Sequence, residues 1–471
     1  MKIRLNSILI IFVLTVLCFF FIADTSGTYL NGLEAQVFLL IGVALASLLI
    51  NSRFNNEFLE VLNVVFVIFY ICRIPFVFMD NVASDVLLRQ VDMYNNPWYL
   101  IVLAVQYFSL LLCILAINPR IPRENITNFI SEPIFKKILL FSSLLMVGNI
   151  VKTIFFFSIY GGTLSHIPAI LKTIFTVNNI MMLIFVSSLM VEKGLLRKYK
   201  YAVGGIFLVA LLISLREGSK SGLIQLVLLI YLAMLVVRGP TVFNIRGLFV
   251  LGFIGLSTLL LFSIGKVVRA MSVNNQGMDP EVFVYYFHRF FFVLGDWSDQ
   301  INTFSYRVGY LDFFIQKISD PVYEPYVSFT YYAKALVDKI TPGFDVFGVP
   351  FASRAIFSAY HGPSGSVLNS ELITVFAEGH LLLGFFSFLL YSIILLIAKW
   401  AFLSFKASSV ASFSLFYTYI VFSFYWWLTG SGLDMWVALT MYQGIFVLCT
   451  IGLIHYWNIR ERFNTISTKS P

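Results

Sequence analysis

The sequence predicts an all-α membrane protein, a polytopic transmembrane helical bundle of about twelve helices with one large extracytoplasmic loop. Hydrophobic residues make up 59% of the chain and charged residues only 12%, whereas a soluble protein is about 25% charged. Apolar stretches of about 20 residues, long enough to cross a bilayer, recur along the chain. The segment 266–371 contains no such stretch and therefore forms the predicted loop.

The predicted spans begin near the N-terminus and resume after the loop. The first follows Lys2 and Arg4 and is interpreted as an uncleaved helix, because it is long enough to span and no small-x-small cleavage site follows it. The twelve predicted spans are 5–23, 33–50, 59–79, 98–117, 137–158, 176–191, 199–215, 221–237, 247–265, 372–398, 410–428 and 436–454.

The distribution of Lys and Arg predicts the orientation of these spans. If the N-terminus is cytoplasmic, eighteen Lys and Arg residues lie in or beside the inside segments and five in the short outside segments. Cytoplasmic loops of membrane proteins carry this excess of positive charge, so both termini are predicted to be cytoplasmic. The predicted regions are a nine-helix bundle over 1–265, an outer loop with interfacial helices over 266–371, three helices over 372–454 and a cytoplasmic tail over 455–471.

Composition and motifs exclude several function classes. The net charge of +8 follows from the basic loops, and no basic motif belongs to a nucleic-acid fold. The four cysteines, which lie inside apolar stretches, lack metal-ligand spacing and are predicted to pack as small apolar residues. No HExxH, CxxC, DxD or GxSxG motif lies at a plausible depth. We therefore expect no metal and no cofactor.

The first candidate site is the short outer connection between the seventh and eighth spans, which contains Arg216 and Lys220. Both cations would lie at the membrane surface beside a helix N-terminus, whose free N–H groups favour anions. A phosphate or diphosphate suits this arrangement. The structural alternative is a pair of snorkelling side chains that anchor the helix ends.

The second candidate site is an aromatic stretch in the outer loop, residues 285–297. Helical periodicity puts Tyr285, Arg289, Phe292 and Asp296 on one face, as in a helix that lies in the membrane interface. His288 and Arg289 would then lie at headgroup depth. A purely anchoring amphipathic helix is the alternative.

The third candidate site is the end of the loop and the start of the tenth span. Arg354, His361, Glu371 and Glu378 fall within this stretch, and a helix would put the two glutamates on one face, two turns apart. In the third span, Arg73 requires an anionic partner because charge inside a membrane is costly. We expect an anionic partner such as Glu378 or a ligand.

Several of these features together resemble the O-antigen polymerases (Wzy-type) and related oligosaccharide repeat-unit polymerases. The number of spans and the single large outer loop before the last three match that family. Arg216 followed by Gly-Ser-Lys-Ser-Gly over 218–222 is similar to a family segment. So is Asn-Ser-Glu over 369–371 followed by Gly379 and Gly384, although Glu378 stands where the family has Phe. Arg354 and Gly365 show an Arg-x10-Gly spacing described for some members.

The resemblance implies a GT-C-like glycosyltransferase of the bacterial inner membrane. It would polymerise undecaprenyl-diphosphate-linked repeat units of a surface polysaccharide at the outer face, without metal. A chain-length regulator and a flippase would be further partners. The residue roles that follow are diphosphate binding by Arg216, Lys220, Arg289 and Arg354, and general-base catalysis by Glu371, His288 or His361.

Two other functions fit the same architecture. An O-antigen ligase, which transfers the glycan to lipid A-core, usually shows a decisive histidine in its large loop, and His288 and His361 are both available. A lipid-linked oligosaccharide flippase is the third hypothesis. The length of the outer loop argues against it, because a flippase is expected to have short outer loops and charges inside the bundle.

Overall fold

The computed structural model describes most of the chain, and the described part is almost entirely helical. The described residues are 2–25, 34–54, 56–74, 96, 98–119, 132–151, 193–216, 242–244, 264, 267, 280–288, 310–340, 346–361, 373–405, 410–429 and 432–467. The predicted spans 176–191 and 221–237, and nearly all of 247–265, lie outside them.

The N-terminal half contributes seven helices and a short β-pair to this description. They are β1 (Lys2–Arg4), α1 (Leu5–Thr25), α2 (Glu34–Phe54), α3 (Glu57–Phe69), α4 (Trp98–Ile117), α5 (Glu132–Val151), α6 (Lys193–Lys198), α7 (Lys200–Arg216) and β2 (Val242–Asn244), with a 3-10 turn over Ile71–Arg73.

The C-terminal half contributes eight more described helices. They are α8 (Pro280–His288), α9 (Tyr310–Ser319), α10 (Phe329–Ile340), α11 (Ala352–His361), α12 (Val375–Leu383), α13 (Ser387–Phe405), α14 (Val410–Leu428) and α15 (Leu433–Ser467), with 3-10 turns over Pro321–Tyr326 and Gly384–Phe386. α15 continues beyond residue 454, so the predicted tail 455–471 begins inside a helix.

Five stretches of the described residues are helical, long and apolar enough to cross a membrane. They are Gln36–Phe54, Trp98–Ile117, Glu132–Val151, Val375–Ser404 and Leu433–Trp457. Shorter apolar helices cover Leu5–Cys18 and Lys200–Ile213. These helices indicate a membrane protein.

Capping residues explain where α3 and α12 begin. Asn56 caps α3 by accepting the backbone N–H of Phe58 at 2.9 Å. Thr374 caps α12, with its side chain accepting from the N–H of Ala377 at 3.3 Å. Gly384 then ends α12 with φ 56°, a backbone conformation that costs least for glycine.

The helices form one core that is rich in aromatic residues. Phe66 of α3 stacks on Tyr107 of α4 with ring centroids 3.9 Å apart, and Phe58 meets Phe424 of α14 edge to face at 5.0 Å. Such ring pairs add about 1 kcal/mol each beyond the area that they bury. Since α3 is buried on nearly all sides, it forms the centre of the bundle.

One end of the bundle is basic, and several contacts define it. Arg4 donates to the carbonyl oxygen of Ser52 at 3.2 Å, and Lys399 donates to that of Ile117 at 2.6 Å. Lys198 lies 2.8 Å from Glu132. The antiparallel pairing of β1 with β2 brings residues 242–244 to the N-terminus. The β-pair therefore puts residues 2–4 and 242–244 at the same end of the bundle. The distribution of Lys and Arg predicted that both segments lie on one side of the membrane.

Candidate functional site

A folded cap covers the opposite end of the bundle, and it consists of residues 310–340 and 346–361, which carry α9, α10 and α11. The cap has its own apolar cluster, with Tyr323, Val327, Tyr332, Ala352 and Ile356 buried together with Ile373 of the bundle. The middle of the predicted outer loop is therefore a packed unit and not an irregular connection.

The first helix of the cap, α9, is fastened to the bundle by two polar contacts. Arg73, at the end of the 3-10 turn after α3, places Nε 2.8 Å from Oδ2 of Asp312. Tyr310 donates its hydroxyl to the carbonyl oxygen of Thr429, just after α14, at 2.7 Å. Ends of two bundle helices thus meet one helix of the cap.

The other two cap helices are held by carboxylates at helix starts. Oε1 of Glu378, in the first turn of α12, accepts from the hydroxyl of Tyr332 at 2.5 Å and from the N–H of Leu433 at 2.6 Å. Asp434, in the first turn of α15, accepts from the N–H of Ala352 at 2.7 Å. Each carboxylate thereby connects a cap helix to a bundle helix.

A buried lysine lies inside the cap. Lys317 is fully buried, and its ammonium group lies 4.0 Å from the ring centroid of Tyr323. A desolvated cation over an aromatic face is worth about 2 kcal/mol. Loss of this contact would leave the buried ammonium group less well compensated, which is costly. The contact therefore holds α9 against the following 3-10 turn.

Burial controls the ionisation of the cap groups. It raises the pKa of the Asp312 carboxyl to about 6, and the guanidinium of Arg73 opposes that rise. Burial, followed by the neighbouring Glu378, raises the pKa of Tyr332 well above its usual value. Tyr332 therefore stays neutral and acts as a hydrogen-bond donor.

Two predicted site residues have structural partners, and the sequence assigned one of them incorrectly. Arg73 was expected to pair with Glu378 or a ligand, but it pairs with Asp312. Glu378 is buried and bonded to Tyr332 and Leu433 instead. Both sets of bonds join the cap to the bundle, so we assign both side chains to the attachment of the cap.

The predicted shared face of the two glutamates is also wrong. α12 begins at Val375, and the capping residue Thr374 has an extended backbone with φ −75° and ψ 146°. A continuous helix therefore does not reach from Glu371 to Glu378. Glu371 itself lies outside the described residues.

Three further predicted site residues lie on described helices of the predicted outer loop, and their surroundings differ. Arg354 is exposed on α11, and His288 is exposed at the last position of α8. His361 is the last residue of α11, although its side chain lies outside the description. The structure does not place these three in one described cluster.

The remaining predicted residues concern the diphosphate site. Arg216 is the last residue of α7, and its side chain is outside the description. Lys220 and Arg289 lie outside the described residues, as do residues 289–296 of the predicted interfacial face. α7 starts beside the basic end, since Lys198 and Tyr199 both bond Glu132 at the start of α5.

The direction of α7 places Arg216 away from the basic end. α5 starts there too, with Lys137 5.4 Å from the ring of Trp457, and Phe141 meets Phe446 further along α15. Since α7 packs along α5 and its 17 residues cover about 25 Å, it ends on the cap side. The backbone of Arg216 therefore lies at the end of the bundle opposite to the basic end.

Sequence reasoning missed Asp312, Lys317, Tyr332 and Asp434. The only available signal was that Asp312 and Lys317 interrupt a short apolar helix, which is costly without partners. Among the described residues, no group of three or more His, Cys, Asp or Glu residues is arranged to hold a metal ion.

Comparisons with known proteins do not assign a role to this site. No protein-family model, no curated protein and no solved structure matches this chain.

Proposed function

We propose that this chain polymerises undecaprenyl-diphosphate-linked oligosaccharide repeat units of a surface polysaccharide at the outer face of the inner membrane. The growing glycan moves from its lipid diphosphate to the non-reducing end of a new lipid-linked repeat unit. The acceptor hydroxyl oxygen forms a bond to the anomeric carbon while the bond from that carbon to the diphosphate breaks. The diphosphate leaves with the bonding electrons, and a general base takes the hydroxyl proton.

The observation that carries the proposal is the separation of a folded cap from a basic end. Positively charged segments stay in the cytoplasm, so the basic end of the bundle is assigned to the inside. The cap and the end of α7 then face outwards, where a lipid-linked glycan presents its diphosphate at the membrane surface. Both termini are cytoplasmic in this orientation, since Arg4 contacts Ser52 at the basic end and Trp457, near the end of α15, contacts Lys137 there.

The leaving diphosphate requires fixed cations on the cap side. Arg216 ends α7 there, and Arg354 is exposed on the cap helix α11. Guanidinium groups suit phosphate oxygens because they donate two parallel hydrogen bonds. Lys220 and Arg289 are the further cations of the proposal. Preorganised positive charge at a leaving group is a large contribution to catalysis.

The general base is proposed among Glu371, His288 and His361. His288 is exposed at the end of α8, and an imidazole can take a proton from a hydroxyl group. Arg73 and Glu378 have no part in this chemistry, because their bonds hold the cap.

Deletion of the gene separates this proposal from its alternatives. A polymerase deletion leaves a single repeat unit on lipid A and removes the ladder of longer chains on a gel. Loss of all polysaccharide-capped lipid A, with accumulation of lipid-linked polymer, would instead identify the O-antigen ligase. Loss of export with repeat units retained inside would identify a flippase.

A matched pair of arginine variants tests the diphosphate site. Arg216→Ala should abolish the ladder while the protein remains in the membrane at its normal level. The control is Arg197→Ala, at an exposed arginine just before α7 and on the basic end, which should leave the ladder intact. Normal chains in the Arg216→Ala strain would refute the assignment of this residue.

A further inference from the structure

The helix α10 of the cap runs alongside the beginning of α15. Near its start, Tyr332 shares Glu378 with Leu433, the first residue of α15. At its end, the hydroxyl of Tyr442 donates to the carbonyl oxygens of Lys339 and Ile340, the latter at 3.0 Å. These two levels are about 12 Å apart on α10 and about 14 Å apart on α15. The two helices are therefore parallel neighbours.

This arrangement puts the end of α10 at membrane depth. The apolar window of α15 extends from Leu433 to Trp457, and Lys137 over the ring of Trp457 marks its basic end. Tyr442 is about 22 Å from that end along the helix, and the hydrocarbon core is about 30 Å thick. With Trp457 at one surface of that core, the last residues of α10 would lie about 8 Å below the other surface.

Side chains form hydrogen bonds with both the N–H and the carbonyl groups of the backbone at this depth. Asp338 accepts from the N–H groups of Phe347 and Val349, both at 2.8 Å, and Tyr442 bonds the final carbonyls of α10. Backbone groups outside regular structure are tolerated inside a membrane only when the protein satisfies them. A loop in water would not require these partners.

The surface beside these bonds is apolar. Val337, Val346 and Phe347 are large hydrophobic residues that are about half exposed or more, and Met441 and Ile445 of α15 are exposed at the same level. Lys334 lies 6.0 Å from the ring of Phe347, and the long stems of Lys334 and Lys339 let their ammonium groups reach the interface. Exposed apolar side chains therefore occur both on α15 and on the part of the cap that packs beside it.

We propose that the dipping segment, residues 329–340 and 346–351, enters the leaflet on the cap side and contacts lipid acyl chains. It is a re-entrant part of the cap and not a water-exposed one. Lipid chains cover Val337 and Phe347, while the 3-10 turn over Pro321–Tyr326 stays in water. The proposal concerns only the position of the cap and holds whichever reaction the protein performs.

Two valines provide a matched test, because Val337 and Val322 are each 46% exposed. Val337→Cys and Val322→Cys are made in the full chain with its four native cysteines replaced by alanine, and each carries a bimane fluorophore. In phosphatidylglycerol nanodiscs with nitroxide-labelled acyl chains, the fluorophore at position 337 should lose its fluorescence, and aqueous iodide should not quench it. The fluorophore at position 322 should show the opposite pattern.

A second position protects the test against a folding defect. Phe347→Cys, on the other arm of the dipping segment, should follow Val337→Cys, and size-exclusion profiles verify that each variant is folded. Quenching by iodide at both 337 and 347, equal to that at 322, would overturn the proposal and place the whole cap in water.

Discussion

Arg73 and Asp312 are 239 positions apart in the chain, yet Nε of the arginine lies 2.8 Å from Oδ2 of the aspartate. Only 5% of the arginine side chain and 3% of the aspartate side chain are exposed. The pair joins the end of α3, at the centre of the bundle, to α9 of the cap. It therefore determines where the cap lies relative to the membrane helices.

Breaking this pair from one side should destabilise the protein strongly. Arg73→Ala leaves the Asp312 carboxylate buried without its guanidinium partner, which we expect to cost about 3–5 kcal/mol. Thermal unfolding of the purified protein in detergent measures the loss. The double variant Arg73→Met, Asp312→Leu removes both charges and should recover most of the stability. A double variant as unstable as Arg73→Ala would contradict this account.

Glu378 should matter as an acceptor and not as an acid. Glu378→Gln keeps an oxygen for Tyr332 and Leu433, whereas Glu378→Ala leaves a buried hydroxyl and a buried N–H unsatisfied. We expect the alanine variant to lose about 3 kcal/mol and the glutamine variant much less, as measured by thermal unfolding. A glutamine variant that unfolds normally but makes no polymer would show instead that Glu378 takes part in the reaction.

Gly379 should tolerate no side chain, because α12 passes close to Tyr391 of α13. A Cβ atom at position 379 would lie 2.9 Å from Cζ of Tyr391, and that tyrosine donates to Oε1 of Gln106 at 2.8 Å. Gly379→Ala should therefore cost about 1–3 kcal/mol by overpacking. Thermal unfolding of the variant tests this value.

The control for that variant is a helical glycine with open space around it. A Cβ atom added at Gly204 of α7 would meet no atom of the described residues within 4 Å, apart from those of its own helix turn. Gly204→Ala should therefore stabilise the protein by about 0.5–1 kcal/mol through its better helix propensity. Equal melting temperatures for the two variants would show that Gly379 is not tightly packed.

The helices could be predicted from the sequence because they depend on local properties. The predicted span 98–117 coincides with Trp98–Ile117, and 410–428 coincides with Val410–Leu428. Runs of apolar residues about 20 long report membrane helices with little help from the rest of the chain. The interruption at Gly384 was not predicted, because it depends on a single positive φ angle.

The attachment of the cap could not be predicted, because it depends on contacts between distant parts of the chain. Glu378 and Asp312 both suit a buried arginine chemically, and only the packing of α9 decides between them for Arg73. Nothing in the sequence distinguished Tyr332, as a residue that attaches the cap, from the many other tyrosines of the outer loop. Arg354 is exposed on α11, but its predicted role in binding a diphosphate stays a prediction because it depends on a ligand and not on packing.

Arg354→Ala should separate a functional cation from a structural one. Its side chain is exposed, so we expect the variant to unfold within about 0.5 kcal/mol of the native protein while the polysaccharide ladder shortens or disappears. Lys334→Ala, at another exposed cation of the cap, serves as the control and should keep the ladder. Full-length chains from Arg354→Ala would remove this residue from the proposed site.

Tyr442→Phe should loosen the end of α10 without unfolding the bundle. The variant removes only the hydroxyl that donates to the carbonyls of Lys339 and Ile340, a bond worth about 1 kcal/mol. Hydrogen exchange in nanodiscs should therefore become faster over Phe329–Ile340 and stay unchanged over α9. The control is Tyr456→Phe, at an exposed tyrosine of α15. It should change hydrogen exchange neither over Phe329–Ile340 nor over α9. Unchanged exchange in α10 of the Tyr442→Phe variant would mean that this bond does not hold the dipping segment against α15.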